Sequence, residues 1–410
     1  MSDVERIVER AYRESSGPIR ARLVRTLRDF ELAEEIVHEA FAAALVQWPS
    51  QGLPNDPGAW LMRTAQNKAI DLIRHRAGAA DKLAALAQFA QDLEEAGEAE
   101  LAVDDMLRLI FTCCHPAISP EGQVALTLQT VCGLRSEEIA RAFLVSPITM
   151  NQRLVRAKRK IKDAGIPYAV PEAAMLPSRV SAACTTVYLV FNEGYAATAG
   201  AELVRAELCV EAIRLGRLLD ALLPARADVE GLLALMLLID ARRATRVDAE
   251  GVPVLLEDQD RSLWHASQIA EGAELVRRSL GHGPTSFGVQ AAIAALHAQA
   301  PSSAATDWPQ IVGLYDRLAL LQKGPVVSLN RAAAVTMAEG PEAALRLLDA
   351  LERSGALSEY HLFHAARADV LRRLGRYDAA LGAYRRALEL VSNEPERRFL
   401  EQRIARLGAN

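Results

Sequence analysis

Hydrophobic residues recur every three or four positions along most of this chain, which is the spacing of one buried face of an α-helix. Residues 30–46, 60–76 and 146–162 show this spacing most clearly, with polar or charged residues between the apolar ones. The alternation typical of a half-buried strand is missing, and a short β-like stretch at residues 185–191 is the exception. The pattern therefore predicts an all-α protein.

Residues 134–162 have the pattern of a helix-turn-helix. The first helix is predicted over residues 136–143, and a short turn separates it from a longer second helix. Ser146 is suited to N-cap the second helix, and Pro147 falls in its first turn, where a missing N–H costs nothing. The second helix carries an apolar stripe made of Met150, Leu154, Ala157 and Ile161.

A basic face lies beside that stripe. All charged residues between positions 146 and 162 are basic, and Arg153, Arg156 and Lys160 repeat the helical spacing one residue ahead of the apolar positions. Such a helix packs on one side and fits a DNA major groove on the other. A solvated basic face is the competing interpretation, but the agreement of first helix, turn, cap and charge favours DNA binding.

Breaks in the periodicity divide the chain into four parts. Residues 1–77 form a helical block, and residues 78–102 are an Ala-rich and acidic segment without a strong period, which indicates a linker. Residues 103–167 end in the helix-turn-helix. A segment with three prolines, 167–177, then leads into a large block at residues 175–410.

The last block has the pattern of stacked helical pairs. Alanines 344 and 380 occupy equivalent positions in two copies and are 36 residues apart, close to the roughly 34-residue tetratricopeptide (TPR) period. A TPR-like helical-repeat domain is therefore predicted, either as a concave surface for a protein or peptide or as a packing scaffold. The stronger copy contains Ala368, Leu371, Gly375, Tyr377, Ala380, Tyr384 and Ala387.

Composition makes the basic helix a local feature, because the 410-residue chain has a net charge of −5. The most apolar stretch, residues 232–239, is too short to span a bilayer, and the charged N-terminus lacks the apolar core of a signal peptide. We therefore expect a cytoplasmic protein without a membrane partner.

No residue pattern indicates catalysis or a metal site. Cys113, Cys114 and His115 are adjacent, which is not the spacing of common zinc sites, so buried packing is favoured over metal binding or redox sensing. The chain lacks a Gly-rich phosphate loop, an HExxH motif and a convincing nucleophile–base set. We expect no enzyme activity, no cofactor and no metal. The remaining histidines of interest are scattered: His265, His282, His297, His361 and His364.

Taken together, these blocks resemble the extracytoplasmic-function (ECF) class of bacterial RNA polymerase sigma factors. Residues 29–41 (DFELAEEIVHEAF) are similar to the acidic helix of sigma region 2, and residues 60–76 (WLMRTAQNKAIDLIRHR) to the helix of that region at the minus-ten element. Residues 126–161 resemble sigma region 4, which reads the minus-thirty-five element. Residues 104–119, the motif FNEGY at 191–195 and the repeat-like tail resemble the subgroup with a large C-terminal TPR-like extension.

The resemblance implies a region 2 helical bundle, a region 4 helix-turn-helix and a tail that regulates them in cis. It also implies two partners, the clamp and flap regions of core RNA polymerase and promoter DNA. An acidic face can equally be solvated, and His38 replaces the glutamine usual in the family. The residues that this assigns to polymerase binding are Asp29, Glu34, Glu35, His38 and Glu39.

DNA contacts are expected from both regions. In region 2 the polar side of residues 60–76 would hold the opened strand, while Trp60 either stacks on a base or, as its place at a helix start favours, belongs to the core. In region 4 the side chains nearest the helix start would reach base edges and phosphates, and those further on phosphates alone. The candidates are Arg63, Asn67, Lys68, Arg74, Thr149, Gln152, Arg153, Arg156, Arg159 and Lys160.

Two questions stay open on the sequence alone. FNEGY (Phe191, Asn192, Glu193, Gly194 and Tyr195) interrupts a helical pattern, either as an interdomain contact or as a helix C-cap and turn that uses Gly194. The alternative to a sigma factor is a one-component helix-turn-helix regulator with a TPR-like sensor domain. The sequence favours the sigma factor, because such a regulator has no use for the block at residues 29–76.

Overall fold

The computed structural model describes residues 3–76 and 98–408, which divide into two compact units, Met1–Val187 and Tyr188–Asn410. Within the described ranges the chain forms α-helices, two 3-10 turns and isolated β-bridges, but no strand. The all-α prediction is confirmed. Most of the predicted linker, residues 78–102, lies outside the described residues, and a helix begins at Glu98.

The first unit begins with a three-helix bundle. Its core residues come from one face of each helix, as for Ile36, Ala40 and Ala44. The buried face of the second helix also includes Val37 and Phe41, whereas Leu32 and Ala43 are half-buried. The helices are α1 (Asp3–Leu27), α2 (Phe30–Gln51) and α3 (Pro57–Arg76).

Four shorter helices complete the part of the first unit that precedes the prolines. Ser119 caps α5 with its hydroxyl on the Gly122 N–H at 3.3 Å, and a proline follows it, as at Ser146 of the last helix. The helices are α4 (Glu98–Cys113), α5 (Pro120–Thr130), α6 (Ser136–Ala142) and α7 (Pro147–Asp163).

Helix α1 packs directly on α4 and on the end of α5. Arg20 is fully buried and donates from Nη1 to the carbonyl of Thr130 at 2.5 Å. Gly17 and Gly133 permit this approach, since a Cβ on Gly17 would stand 2.6 Å from the Val131 carbonyl oxygen. We call this set of contacts the α1–α5 contact.

Helix α8 (Leu176–Tyr195) contains the boundary between the two units, because its residues up to Val187 belong to the first unit and the rest to the second. Arg179 donates to the carbonyl of Phe111, and Thr186 donates to Gln123 at 2.9 Å, so the first half of α8 belongs to the first unit. The division between the units therefore falls after Val187 instead of at the prolines between residues 167 and 177.

The β-like interpretation of residues 185–191 is wrong, because this stretch is helical in α8. Val180, Cys184, Val187 and Phe191 are buried at intervals of three or four residues, so the β-branched and aromatic side chains line one helical face. Burial of that face outweighs the local preference for a strand.

The second unit continues with ten helices in its described part. Helix α10 is its most buried element and packs against α9, α11 and α12. Its Gly231 lies against Gly288, where a Cβ would meet the backbone nitrogen at 2.5 Å. The first helices are α9 (Ala206–Leu222), α10 (Ala227–Asp240), α11 (Ala266–His282), α12 (Ser286–Gln299) and α13 (Trp308–Leu321).

The C-terminal helices pack in sequence, each against the next. Ala332 and Ala368 are fully buried, and so are Ala344 and Ala380, so residues 36 positions apart play the same packing role in successive pairs. These helices are α14 (Pro325–Ala338), α15 (Pro341–Ser354), α16 (His361–Arg373), α17 (Tyr377–Leu390) and α18 (Glu394–Gly408).

Candidate nucleic-acid interface

The helix-turn-helix is built as the sequence predicts. The Ser146 hydroxyl accepts the Thr149 N–H at 3.1 Å, which caps α7, and Pro147 occupies its first turn. Leu144 makes the turn with a positive φ of 49°, and the Val145 N–H donates to the Ala140 carbonyl at 3.0 Å. Met150, Leu154, Ala157 and Ile161 are all buried, so the apolar stripe is confirmed.

The opposite side of α7 presents donors to solvent. Gln152, Arg156, Arg159 and Lys160 are exposed, whereas Arg153 is half-buried. Arg156 donates from Nε to the Gln152 carbonyl at 3.2 Å. Thr149, also half-buried, shares its hydroxyl with Ser146 at 2.9 Å. Four of the six predicted contact residues therefore form one exposed, mainly basic surface.

Helix α3 presents a second polar surface. Leu61, Ala65 and Ala69 are fully buried, while Arg63 and Asn67 are exposed. Trp60 is half-buried and packs edge-on against Trp48, with ring centroids 5.5 Å apart, which supports its interpretation as a core residue. The side chain of Arg74 lies outside the described residues, so its predicted role stays a prediction.

Two residues predicted to have different partners bind each other. The Lys68 ammonium, predicted to contact DNA, lies 2.8 Å from the Glu39 carboxylate, predicted to contact the polymerase. Both side chains are at least one-third exposed, so the pair adds little stability and leaves both groups available to larger partners.

The acidic helix α2 is less uniform than its sequence indicates. Asp29 is its N-cap, and its Oδ1 accepts the Glu31 and Leu32 N–H groups at 3.0 and 3.1 Å. Glu35 is exposed. The predicted docking face therefore includes a residue whose carboxylate already serves the helix start.

Glu34 is bound by the DNA-binding part of the same unit. Its carboxylate pairs with the Lys158 ammonium of α7, and the two side chains are only 18% and 13% exposed. Burial would raise the pKa of Glu34, but the charge and hydrogen bond of Lys158 outweigh it and hold the pKa below its usual value. Sequence reasoning missed this pair, since no local pattern joins two residues so far apart.

His38 lies beside that pair. Its Nε2 is 3.3 Å from the Tyr12 hydroxyl. Burial lowers the pKa of His38, and the nearby cations Arg20 and Lys158 lower it further, whereas the Glu34 carboxylate acts in the opposite direction. The imidazole is thereby favoured in its neutral form.

FNEGY does not interrupt α8. Gly194 is helical, so of the two alternatives the helix C-cap and turn at Gly194 is wrong. The glycine instead permits close packing, because a Cβ there would meet the Cys209 backbone nitrogen at 2.7 Å. Glu193 is buried and pairs with Arg205, and it also accepts the Thr198 hydroxyl at 3.1 Å.

The other residues of the motif face different surroundings. Phe191 and Tyr195 are buried and stack with centroids 5.9 Å apart, while Asn192 is exposed. These contacts lie within the second unit, and the interdomain role of the motif stays a prediction.

The adjacent cysteines are buried in the first unit. Cys113 Sγ lies 3.0 Å from the Thr130 hydroxyl, and burial raises the pKa of the Cys113 thiol to about 12. The same effect raises the pKa of Cys114. Protonated, packed thiols are neither reactive nor good metal ligands, and the described residues contain no group of three potential metal ligands.

Two segments of the chain match known sigma factor regions. Residues 11–78 match sigma-70 region 2, and residues 108–161 match sigma-70 region 4. The chain belongs to the sigma-70 family. It is an ECF-type sigma factor with a C-terminal extension, and its two sigma regions carry α1 to α3 and α4 to α7. The structural and family evidence together assign it to promoter recognition in transcription initiation.

The extension is shared with other proteins. Residues 179–280 match a family of unknown function, DUF6596. An uncharacterized protein of Rhizobium meliloti (strain 1021) is 44% identical over 396 residues, which cover 94% of this chain and 92% of that relative. The similarity thus includes both sigma regions and the extension. No helix in the described part of the chain has the length and hydropathy needed to cross a bilayer.

Proposed function

We propose that this sigma factor binds core RNA polymerase in the cytoplasm and directs it to promoters, while its second unit modulates that activity in cis. The observation that carries the proposal is the presence in one unit of both sigma regions, each with an exposed polar helix above a buried apolar stripe. The protein acts by binding and positioning, without catalysing a reaction.

Region 4 is proposed to read duplex DNA through α7. Its exposed Gln152 lies in the second turn of the helix and its exposed Arg156 in the third, and both are proposed to meet base edges, while Arg159 and Lys160 follow toward the backbone. Thr149 and Arg153 border this surface.

Region 2 is proposed to contact both the polymerase and the opened strand. The exposed Glu35, His38 and Glu39 of α2 offer acidic and polar groups to a basic partner surface. On α3, Arg63, Asn67 and Lys68 offer backbone neutralisation and hydrogen bonds to a single strand. Asp29 and Glu34 would take part only after giving up their present partners.

The second unit is proposed to modulate the sigma regions through its helical pairs. A cavity of about 390 Å³ lies among the repeat helices, and the segment at Leu255, Leu256 and Glu257 lines it. Glu257 pairs with Arg373 of α16 at 3.2 Å, so the chain's own loop contributes to the groove where a protein or peptide partner would bind.

The decisive experiment is run-off transcription with core polymerase on promoters selected from a randomised pool. Full-length protein is compared with a truncation after Tyr195, at the end of α8, which retains the whole first unit. Transcription that requires the protein is expected, with an altered yield for the truncation.

Two results would count against the proposal. Duplex binding without polymerase binding or initiation would favour the one-component regulator. Equal and equally regulated transcription by both chains would remove the role of the second unit while leaving the sigma factor intact.

A further inference from the structure

The second unit contains a group of basic and aromatic side chains that begins at the last residue of FNEGY and lies apart from the polar surfaces of α2, α3 and α7. Tyr195 at the end of α8 lies beside Arg242 and Arg246, which flank the 3-10 turn after α10. Arg261 is close enough to Arg242 to lower its pKa, and both arginines lower the pKa of the α12 residue His297. We call these five residues the arginine cluster.

Two arginines share one aromatic ring in this cluster. The Cζ atoms of Arg246 and Arg242 lie 4.5 and 5.6 Å from the centroid of the Tyr195 ring. Arg246 also donates from Nε to the Tyr195 carbonyl at 3.3 Å. Tyr195 is only 7% exposed, and its buried hydroxyl has no hydrogen-bond partner in the part of the chain that the structure describes.

Arg261 is held rigidly on the other side. Its Nη1 donates to the carbonyls of His297 and Ala300 at 2.5 and 2.8 Å, and its Cζ lies 4.5 Å from the Trp264 ring. Its Nη2 and the Nδ1 of His297 are buried, and neither has a hydrogen-bond partner among the described residues. Tyr195, Arg261 and His297 thus each have one buried polar atom without a partner among the described residues.

The charges of the cluster are poorly compensated. Burial lowers the pKa of Arg242, and the positive charges of Arg246 and Arg261 lower it further, with Tyr195 acting in the opposite direction. None of the described residues accepts a hydrogen bond from the Arg242 guanidinium or forms a salt bridge with it. A partly buried cation among cations is costly unless an anion accompanies it.

One acid close to the cluster is already engaged by other side chains. Glu396 is close enough to Arg246 for that cation to lower its pKa, but its carboxylate is bonded to His361 at 2.9 Å and to Asn393 at 2.6 Å. Burial also lowers the pKa of His297 to about 4, so this imidazole is neutral at physiological pH and adds a polar group without charge.

We propose that the arginine cluster binds a phosphate-bearing small molecule. Guanidinium groups match the oxygens of phosphate in pairs of hydrogen bonds, and a dianion balances the excess of positive charge better than a single carboxylate does. The unused Tyr195 hydroxyl and Arg261 Nη2 supply further donors. Tyr195 and Trp264 are both only 7% exposed, so the cluster is not part of a flat, exposed surface of the kind that binds a macromolecule.

The site is independent of polymerase and promoter binding, so it can be tested without transcription. The full-length protein is unfolded thermally in increasing inorganic phosphate, with potassium chloride added to keep the ionic strength constant. Because a ligand that binds the folded state stabilises it, a saturable rise in Tm is expected for phosphate and none for chloride.

Two variants and one control locate the effect. Arg242→Gln and Tyr195→Phe are each expected to weaken the phosphate response by about tenfold, the usual cost of losing a hydrogen bond to a charged group. Arg242→Gln should be at least as stable as the wild type without phosphate, because it removes an uncompensated charge. Arg353→Gln, on the exposed side of α15, should respond like the wild type.

The outcomes separate a binding site from a structural cluster. No saturable response of the wild type, or a full response of both variants, would refute the proposal. If Arg242→Gln fails to fold, Tyr195→Phe decides, since it removes one oxygen and keeps the ring on which the arginines rest.

Discussion

One pair of residues joins the helix predicted to bind the polymerase, α2, to the helix predicted to bind DNA, α7. Lys158 and Glu34 are 124 positions apart and belong to helices predicted to serve different partners, yet they form one half-buried pair. The apolar stripe of α7 can be predicted from its spacing. Which acidic side chain a basic residue of α7 pairs with depends instead on how α7 packs against a helix distant in sequence. The sequence therefore predicted Lys158 as one more cation of a basic face.

The pair makes a prediction about stability and pH. Lys158→Ala leaves the Glu34 carboxylate half-buried without its cation, which should lower the free energy of unfolding at pH 7 by about 1–3 kcal/mol. Because the folded-state pKa of Glu34 is lowered, the stabilisation is present above the usual value of 4.5 and is lost as the pH falls through the folded value.

Chemical denaturation of both proteins from pH 7 to pH 3 measures this. The difference between wild type and variant should shrink below about pH 4.5. Lys162→Ala, an exposed lysine of the same helix region, is the matched control. An equal loss for the two substitutions, or a difference that does not depend on pH, would contradict the role given to the pair.

Arg156 carries the second prediction at this scale. Its exposed guanidinium on the polar face of α7 is suited to a base edge, so Arg156→Ala should cost about 1–3 kcal/mol in binding the selected promoter and relax sequence preference at one position. Fluorescence anisotropy with the selected and scrambled duplexes measures both effects. Arg353→Ala should bind like the wild type, and a uniform loss on both duplexes would assign Arg156 to phosphate instead.

At the scale of elements, periodicity predicted the helices well and local composition predicted their interruptions poorly. The cap, turn and buried stripe of α6 and α7 follow directly from Ser146, Pro147 and the apolar spacing. In α8, by contrast, β-branched residues suggested a strand and Gly194 a helix end. Both signals were misleading because α8 packs one face into a core, where side-chain burial and a close α9 backbone decide the conformation.

Gly194 makes a prediction that separates these explanations. A Cβ there would meet the Cys209 nitrogen at 2.7 Å and the Leu208 Cβ at 2.9 Å, so Gly194→Ala should push α8 and α9 apart and destabilise the second unit by about 1–3 kcal/mol. Gly382→Ala is the control, since that helical glycine of α17 has no atom within 4 Å of the added methyl group.

The two variants are compared by thermal unfolding. Gly382→Ala should be neutral or stabilising, by up to about 1 kcal/mol, because alanine loses less entropy than glycine on forming a helix. A stable Gly194→Ala protein would mean that the glycine is not needed for the approach of α9.

At the scale of the whole molecule, the sequence predicted which segments exist but not how the chain divides. The order of region 2, region 4 and a helical tail was readable, and the equivalent burial of Ala344 and Ala380 agrees with the repeat spacing. The division inside α8 was not readable, because it depends on Arg179 and Thr186 reaching back to Phe111 and Gln123. The arginine cluster was missed for the same reason, since its members come from four separate segments.

The α1–α5 contact limits how far apart the two sigma regions of this unit can act. A compact body of this length has a radius of gyration of about 16 Å. Elements centred near positions minus ten and minus thirty-five are separated by about 85 Å along straight duplex, at about 3.4 Å per base pair. On the proposed assignment, the first unit with its α1–α5 contact intact can bind only one of the two promoter elements at a time. Binding to the polymerase would then separate region 2 from region 4 by the distance between the two promoter elements. Exposing the buried Arg20 would be part of the free-energy cost of that separation.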